Sequence, residues 1–165
     1  MTDTTTNLKE AFAGESQANR KYLAFAVKAE SEGYPQIAKL FRAVAEAETI
    51  HAHYHLRMLG GVKSTRENLE AAIAGETYEF TDMYPGFMET AVAEGNKAAR
   101  HGFNLANEVE KVHAKLYQAA LAKLDKPAVE VDYYVCPVCG FTHEGPMTED
   151  CPVCGAKPER FFRVG

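Results

Sequence analysis

The chain has 165 residues, of which 46% are hydrophobic and 25% charged, and a net charge of −5. These proportions exclude a disordered chain, a collagen-like repeat and a low-complexity tail, and the acidic balance speaks against a nucleic-acid or anionic-membrane binder. No apolar run approaches the roughly 20 residues of a membrane span. The N-terminus has neither the basic start nor the apolar core of a signal peptide, so the cytoplasm is the expected compartment.

Four stretches ahead of residue 125 place residues at alternating steps of four and three, which keeps one face of a helix toward a partner. The first is Leu8, Phe12, Glu15, Asn19, Tyr22 and Ala26. The second is Ile37, Phe41, Val44, Glu48, His51, His55 and Met58. The third is Leu69, Ile73, Glu76, Phe80, Met83 and Phe87, and the fourth is Ala99, Phe103, Ala106, Glu110, His113, Tyr117, Ala120 and Leu124. Gly33-Tyr34-Pro35, Gly60-Gly61 and Glu94-Gly95-Asn96 separate them. Ser64-Thr65-Arg66-Glu67 predicts a capping box for the third helix, and Pro85 predicts a kink or a split within it. Four amphipathic helices with short connections predict an all-α four-helix bundle over residues 1–124. Pro127 then stops the last helix, residues 125–132 read as a linker, and 133–165 as a small separate domain. Residues 29–52 and 91–114 agree at eight of 24 positions. Two copies of a helix pair would therefore build the bundle.

The helix stripes contain Glu15, Glu48, Glu76 and Glu110 where apolar residues belong. Buried carboxylates are costly unless something offsets their charge. Glu48-Thr49-Ile50-His51 and Glu110-Lys111-Val112-His113 both place a carboxylate and an imidazole three residues apart, on one helix face. Two such motifs and one Glu from each remaining helix form the ligand set of bundle di-iron and di-manganese proteins. Glu15 supplies the first helix, and Glu76 and Glu79 the third. These five carboxylates carry five negative charges, and two divalent cations would offset about four of them. Carboxylates with imidazoles suit iron or manganese. Tyr22 and Tyr84 either hydrogen-bond the ligating carboxylates or simply fill the core. His55 lies on the stripe one turn past His51, while His53 points away from it. His101 and His143 have no ligand partner at useful spacing.

All four cysteines lie in the last 30 residues. Cys136-Pro137-Val138-Cys139-Gly140 and Cys151-Pro152-Val153-Cys154-Gly155 are near copies, each able to clasp one metal ion. The following Gly admits a positive φ, which turns backbone N–H groups toward sulfur. Together they predict a tetrahedral S₄ site for zinc or a single iron, and the spacing does not choose between the two. So small a domain depends on its metal for folding. Tyr133, Tyr134, Phe141, Phe161 and Phe162 are its candidate aromatic core.

With these motifs in place, the chain resembles rubrerythrin. The resemblance is carried by Ala13-Gly14-Glu15-Ser16-Gln17, the two Glu-x-x-His motifs, the run from Glu76 to Phe87 and the two CPVCG knuckles. The 11 residues between Cys139 and Cys151 are fewer than in free rubredoxins but in keeping with the rubrerythrin type. The resemblance implies a ferritin-like bundle with two irons and a C-terminal rubredoxin-like domain with one iron on Cys136, Cys139, Cys151 and Cys154. Glu48 and Glu110 would bridge the irons. Glu15, Glu79 and His51 would serve one of them, with Glu79 and His51 alternating by redox state, and Glu76 and His113 the other. Tyr22 and Tyr84 match the family's carboxylate-bonding tyrosines. Zinc or manganese could substitute for iron.

The implied activity is peroxidase. Hydrogen peroxide would be reduced to water at the di-iron site, with electrons relayed through Fe(Cys)₄ from an NAD(P)H-dependent reductase or a rubredoxin. The implied assembly is a head-to-tail homodimer, with helix exchange between chains as a variant. Iron storage, dioxygen reduction and a structural zinc protein are the rival readings.

Overall fold

Helix ends are set by local chemistry at every junction. The computed structural model describes residues 3–126 and 130–164. Asp3 opens α1 (Thr4–Ser31) by accepting from the Thr6 N–H at 2.7 Å, and Pro35 opens α2 (Pro35–Met58) at a position whose N–H would have no helical partner. Ser64 opens α3 (Thr65–Tyr78) through the full capping box with Glu67. Asn96 opens α5 (Lys97–Lys123), accepting from Ala99 N–H at 3.0 Å.

Pro85 splits the third helix rather than kinking it. A wide π-helical turn, Glu79–Met83, separates α3 from α4 (Tyr84–Ala93). Proline has no N–H to give and its ring crowds the carbonyl four residues back; the wide turn makes room, and the Tyr84 N–H reaches back five residues to Glu79 O.

The chain divides into two compact units, Met1–Lys63 and Ser64–Gly165. In the first, α1 packs along α2. The line of closest approach on α2 is Ala38, Ala45 and Ala52, at most 6% exposed, one residue round from the expected stripe. Alanines spaced by seven let the backbones come near. Asn19 uses that proximity, donating to Ala45 O at 2.7 Å and Thr49 Oγ1 at 2.8 Å.

In the second unit, α3 and α4 pack on α5. The internal repeat is visible in the backbone. At the end of α1, Tyr34 N–H donates to Ala29 O and Gly33 N–H to Glu30 O. At the end of α4, Asn96 N–H donates to Ala91 O and Gly95 N–H to Val92 O. These are the same helix-ending bonds at equivalent positions.

The C-terminal part is a three-stranded antiparallel sheet, β1 (Tyr133–Val135), β2 (Thr142–Glu144) and β3 (Phe162–Val164), in the order β2-β1-β3. Val135 pairs with Thr142 on one side and Phe162 on the other. The first knuckle joins β1 to β2 and the second lies between β2 and β3. Its core is Cys136, Phe141, Cys151 and Ala156, with Phe161 packed on it, and Val109 of α5 completes the cluster. Phe162 is 50% and Tyr133 36% exposed, so these two are not core: sulfur and the α5 valine fill that space. Helices of the four-helix-bundle kind and a small β-knuckle module are the expected fold class. Of the expected linker, Pro127, Ala128 and Val129 lie outside the described residues. Among the described residues no helix is long and apolar enough to cross a membrane.

Candidate metal centres

In the first unit, Asn19 locks α1 against α2 one turn from Glu15, so Glu15 meets Glu48 and His51. His51 Nδ1 lies 3.1 Å from Glu48 Oε2. The candidate ligand atoms of Glu15, Glu48 and His51 are all within 4.8 Å of one another. A hydrogen bond to the Glu48 side chain, then burial, pushes the Glu15 carboxyl above its ordinary pKa, and the nearby His51 and His55 only partly oppose this. His55 Nδ1 is buried and has no hydrogen-bond partner among the described residues. His53 is exposed. Tyr22 packs on Phe25 and Phe41.

The second unit repeats the arrangement with Glu76, Glu110 and His113, again within 4.8 Å. His113 Nδ1 lies 2.7 Å from Glu110 Oε2 and 3.7 Å from Glu76 Oε2. The same ring nitrogen faces the same carboxylate of the Glu-x-x-His motif in both units. Burial, and then hydrogen bonding to Glu110, raises the Glu76 pKa. Burial and the Glu76 charge raise that of Glu79. Glu79 stands outside the 4.8 Å group, at the head of the π-helical turn; such turns recur at functional sites. Burial and the charges of Glu110, Glu79 and Glu76 push the Tyr84 hydroxyl up, so it stays protonated beside them. A cavity of about 510 Å³ opens next to the triad, lined by Glu76, His113 and Thr142 among apolar Leu69, Leu116 and Ala120.

The other ring nitrogen of His113 is also engaged. Nε2 lies 3.3 Å from Gly140 O and 3.1 Å from Thr142 Oγ1. A carbonyl only accepts, so the Nε2 contact calls for a hydrogen there, while the carboxylate oxygens that face Nδ1 accept as well. Acceptors facing one another need a proton or a cation among them. Metal bonds of about 2.1 Å put neighbouring ligand atoms about 3–4.2 Å apart, so small side-chain shifts would close either triad on an ion. The residues present fit a divalent metal: hard oxygens, one imidazole, and carboxylates crowded enough to hold protons without it.

The four thiols form a third group. Cys136 Sγ lies 3.6 Å from Cys154 Sγ, and Cys139 Sγ 3.6 Å from Cys151 Sγ. Four sulfurs around an ion at about 2.3 Å stand about 3.8 Å apart, so the cage is already near the size of a tetrahedral site. Gly140 and Gly155 have φ of 85° and 72°, the left-handed turn expected after each knuckle. Burial drives the Cys139 and Cys154 thiols up. For Cys136 burial acts the same way, but the backbone N–H groups of Cys139 and Val138 outweigh it and hold the thiol below its ordinary value.

Thr142 was not legible as a functional residue: it stands 29 positions from His113, and only the docking of the knuckles on α5 brings the two together.

Residues 6–121 match the family model described as rubrerythrin, and residues 134–162 the one described as rubrerythrin, rubredoxin-like domain. The chain belongs to the rubrerythrin family. Rubrerythrin-2 of Clostridium acetobutylicum is 40% identical, over 93% of this chain and 92% of that protein. Nigerythrin of Nitratidesulfovibrio vulgaris is 40% identical, over 96% of this chain and 85% of its own. A solved structure of nigerythrin in its fully reduced, all-ferrous state covers 99% of this chain at 38% identity, with a TM-score of 0.60. In rubrerythrin terms the chain carries two carboxylate–histidine triads and a four-cysteine site, all candidate metal centres.

Proposed function

We propose that the protein is a peroxidase that reduces hydrogen peroxide to water, with the carboxylate–histidine residues serving a di-iron centre and the four cysteines holding a third iron that relays electrons. Support for iron comes from the donor sets and from the nigerythrin relative described as all ferrous. The observation that carries the reading is His113. One ring nitrogen faces Glu110 and Glu76, and the other meets the carbonyl of Gly140, the residue after Cys139. The two kinds of centre are one imidazole and one backbone unit apart within Ser64–Gly165, a separation suited to electron transfer.

The overall reaction takes H₂O₂, two electrons and two protons to two waters. Bound iron would supply the two electrons, one per ion, and the Lewis acidity that weakens the O–O bond. The chain's residues do the rest. The carboxylates balance the cationic charge. The Tyr84 hydroxyl, held protonated by burial and by the charges of Glu110, Glu79 and Glu76, keeps a hydrogen to offer them. The cavity beside Glu76 and His113 admits a molecule of peroxide size. An iron held by Cys136, Cys139, Cys151 and Cys154 would supply the electrons singly, drawn from an NAD(P)H-dependent reductase or a rubredoxin. A reducing cytoplasm, which keeps the thiols free, is the matching setting, and a head-to-tail homodimer, with or without helix exchange, is the assembly that goes with the reading.

Two variants test it. Glu110→Ala should lower peroxide turnover to background while keeping the visible Fe(Cys)₄ spectrum. Cys136→Ser should spare a single oxidation of the chemically reduced di-iron site but stop steady-state turnover with a reductase. Full turnover in the first, or an unchanged steady-state rate in the second, would defeat the corresponding role.

A further inference from the structure

The two histidines of the Glu-x-x-His motifs are held differently. The His51 side chain is 56% exposed and that of His113 is 25% exposed. The difference lies at Nε2, where His113 meets the knuckle module. Thr142, the first residue of β2, donates its hydroxyl hydrogen to Gly140 O at 3.1 Å. With that hydrogen committed, its oxygen is left to accept from His113 Nε2–H at 3.1 Å. The chain of bonds runs one way, from imidazole to hydroxyl to carbonyl.

We infer that Thr142 is a positioning residue for His113: its hydroxyl holds the Nε2 side and the plane of the ring, which keeps Nδ1 aimed at Glu110 and Glu76 as the metal-binding nitrogen. The inference deepens the proposed function and rests on His113 being a metal ligand there. Groups that hold the far nitrogen of a ligating histidine set both its tautomer and its orientation, and their loss weakens metal binding by about 10- to 100-fold. Gly140 O at 3.3 Å would keep part of the hold, so the lower end of that range applies. Thr142 is a side chain of the cysteine module acting on a helical site, so the module contributes to metal binding outside itself. Val109 of α5, buried in the module's core, keeps β2 at the right height for this.

The test uses the full-length protein with its cysteine site loaded, as the parent, Thr142→Val and Thr142→Ser. Nitrogen NMR of the His113 ring, before any metal is added to the helical triads, reads the Nε2–H signal. Anaerobic titration with ferrous ion reads affinity, through broadening of the same ring signal. The cysteine-site absorption reports that the module is folded. Thr142→Val should lower ferrous affinity at the His113 triad about tenfold and shift the Nε2–H signal, which loses its hydroxyl acceptor. Thr142→Ser should restore both. Unchanged affinity and an unchanged ring signal in Thr142→Val would overturn the positioning role while leaving the ligand role standing. A parent protein whose His113 signal ignores ferrous ion would overturn the ligand role, and the inference with it.

Discussion

Glu15, Glu76 and Glu79 hold their protons more tightly than isolated glutamates. The leading cause is the hydrogen bond to Glu48 for Glu15, and burial for the other two. The sign of the consequence follows from linkage. An acid whose folded pKa is raised stabilises the fold below its ordinary value of 4.5. That contribution disappears as the pH rises through the raised value. The metal-free triads therefore favour acid conditions and weaken the fold near neutrality, and a bound cation removes the penalty. Glu76→Gln should raise the melting temperature of the triad-metal-free protein at pH 7, narrow its difference from pH 5, and abolish the extra stabilisation by ferrous ion. Thermal melts at the two pH values, with the cysteine site loaded throughout, check this. A lower melting temperature for the metal-free variant at pH 7 would contradict it. The carboxylates and histidines of both triads were legible because charge on an apolar stripe is a contradiction that only a few chemistries resolve. Thr142 was not, since no local pattern links β2 to α5.

Helix boundaries follow from punctuation. Asp3, Ser64 and Asn96 accept the first free N–H groups of their helices, and Pro35 starts α2 where it gives up nothing. Ser64→Ala should cost about 1 kcal/mol of stability through loss of the cap, seen in denaturant melts as a lower midpoint with an unchanged slope. A midpoint equal to the parent's would mean that the cap is replaced locally. Two features were only partly legible. Pro85 forecasts a disturbance, but whether the chain bends or widens depends on what the flanking side chains must reach. Here the widened turn begins at Glu79, itself a candidate ligand. The contact line of α2 fell one residue from the expected stripe because Ala38, Ala45 and Ala52 are small. Periodicity weighted by bulk overlooks the positions where two backbones come closest.

Across the molecule, each compact unit contributes one Glu, one Glu-x-x-His pair and a helix-ending motif of the same form. The repeat read in the sequence is thus a repeat of chemistry as well as of backbone. The second unit adds the cysteine cage, whose core takes in Val109 and whose carbonyl and hydroxyl meet His113. A zinc ribbon would explain the cage alone. It would not explain why the cage is seated against one of the crowded carboxylate–histidine sites. The most direct test of a two-centre peroxidase is a metal count and visible spectrum of the purified protein, followed through anaerobic reduction and one addition of hydrogen peroxide. About three irons per chain are expected, two in the carboxylate sites and one in the cysteine site. The Fe(Cys)₄ colour should bleach on reduction and return rapidly with peroxide. A colourless protein holding one zinc per chain, with no response to peroxide even after anaerobic loading with iron, would contradict it.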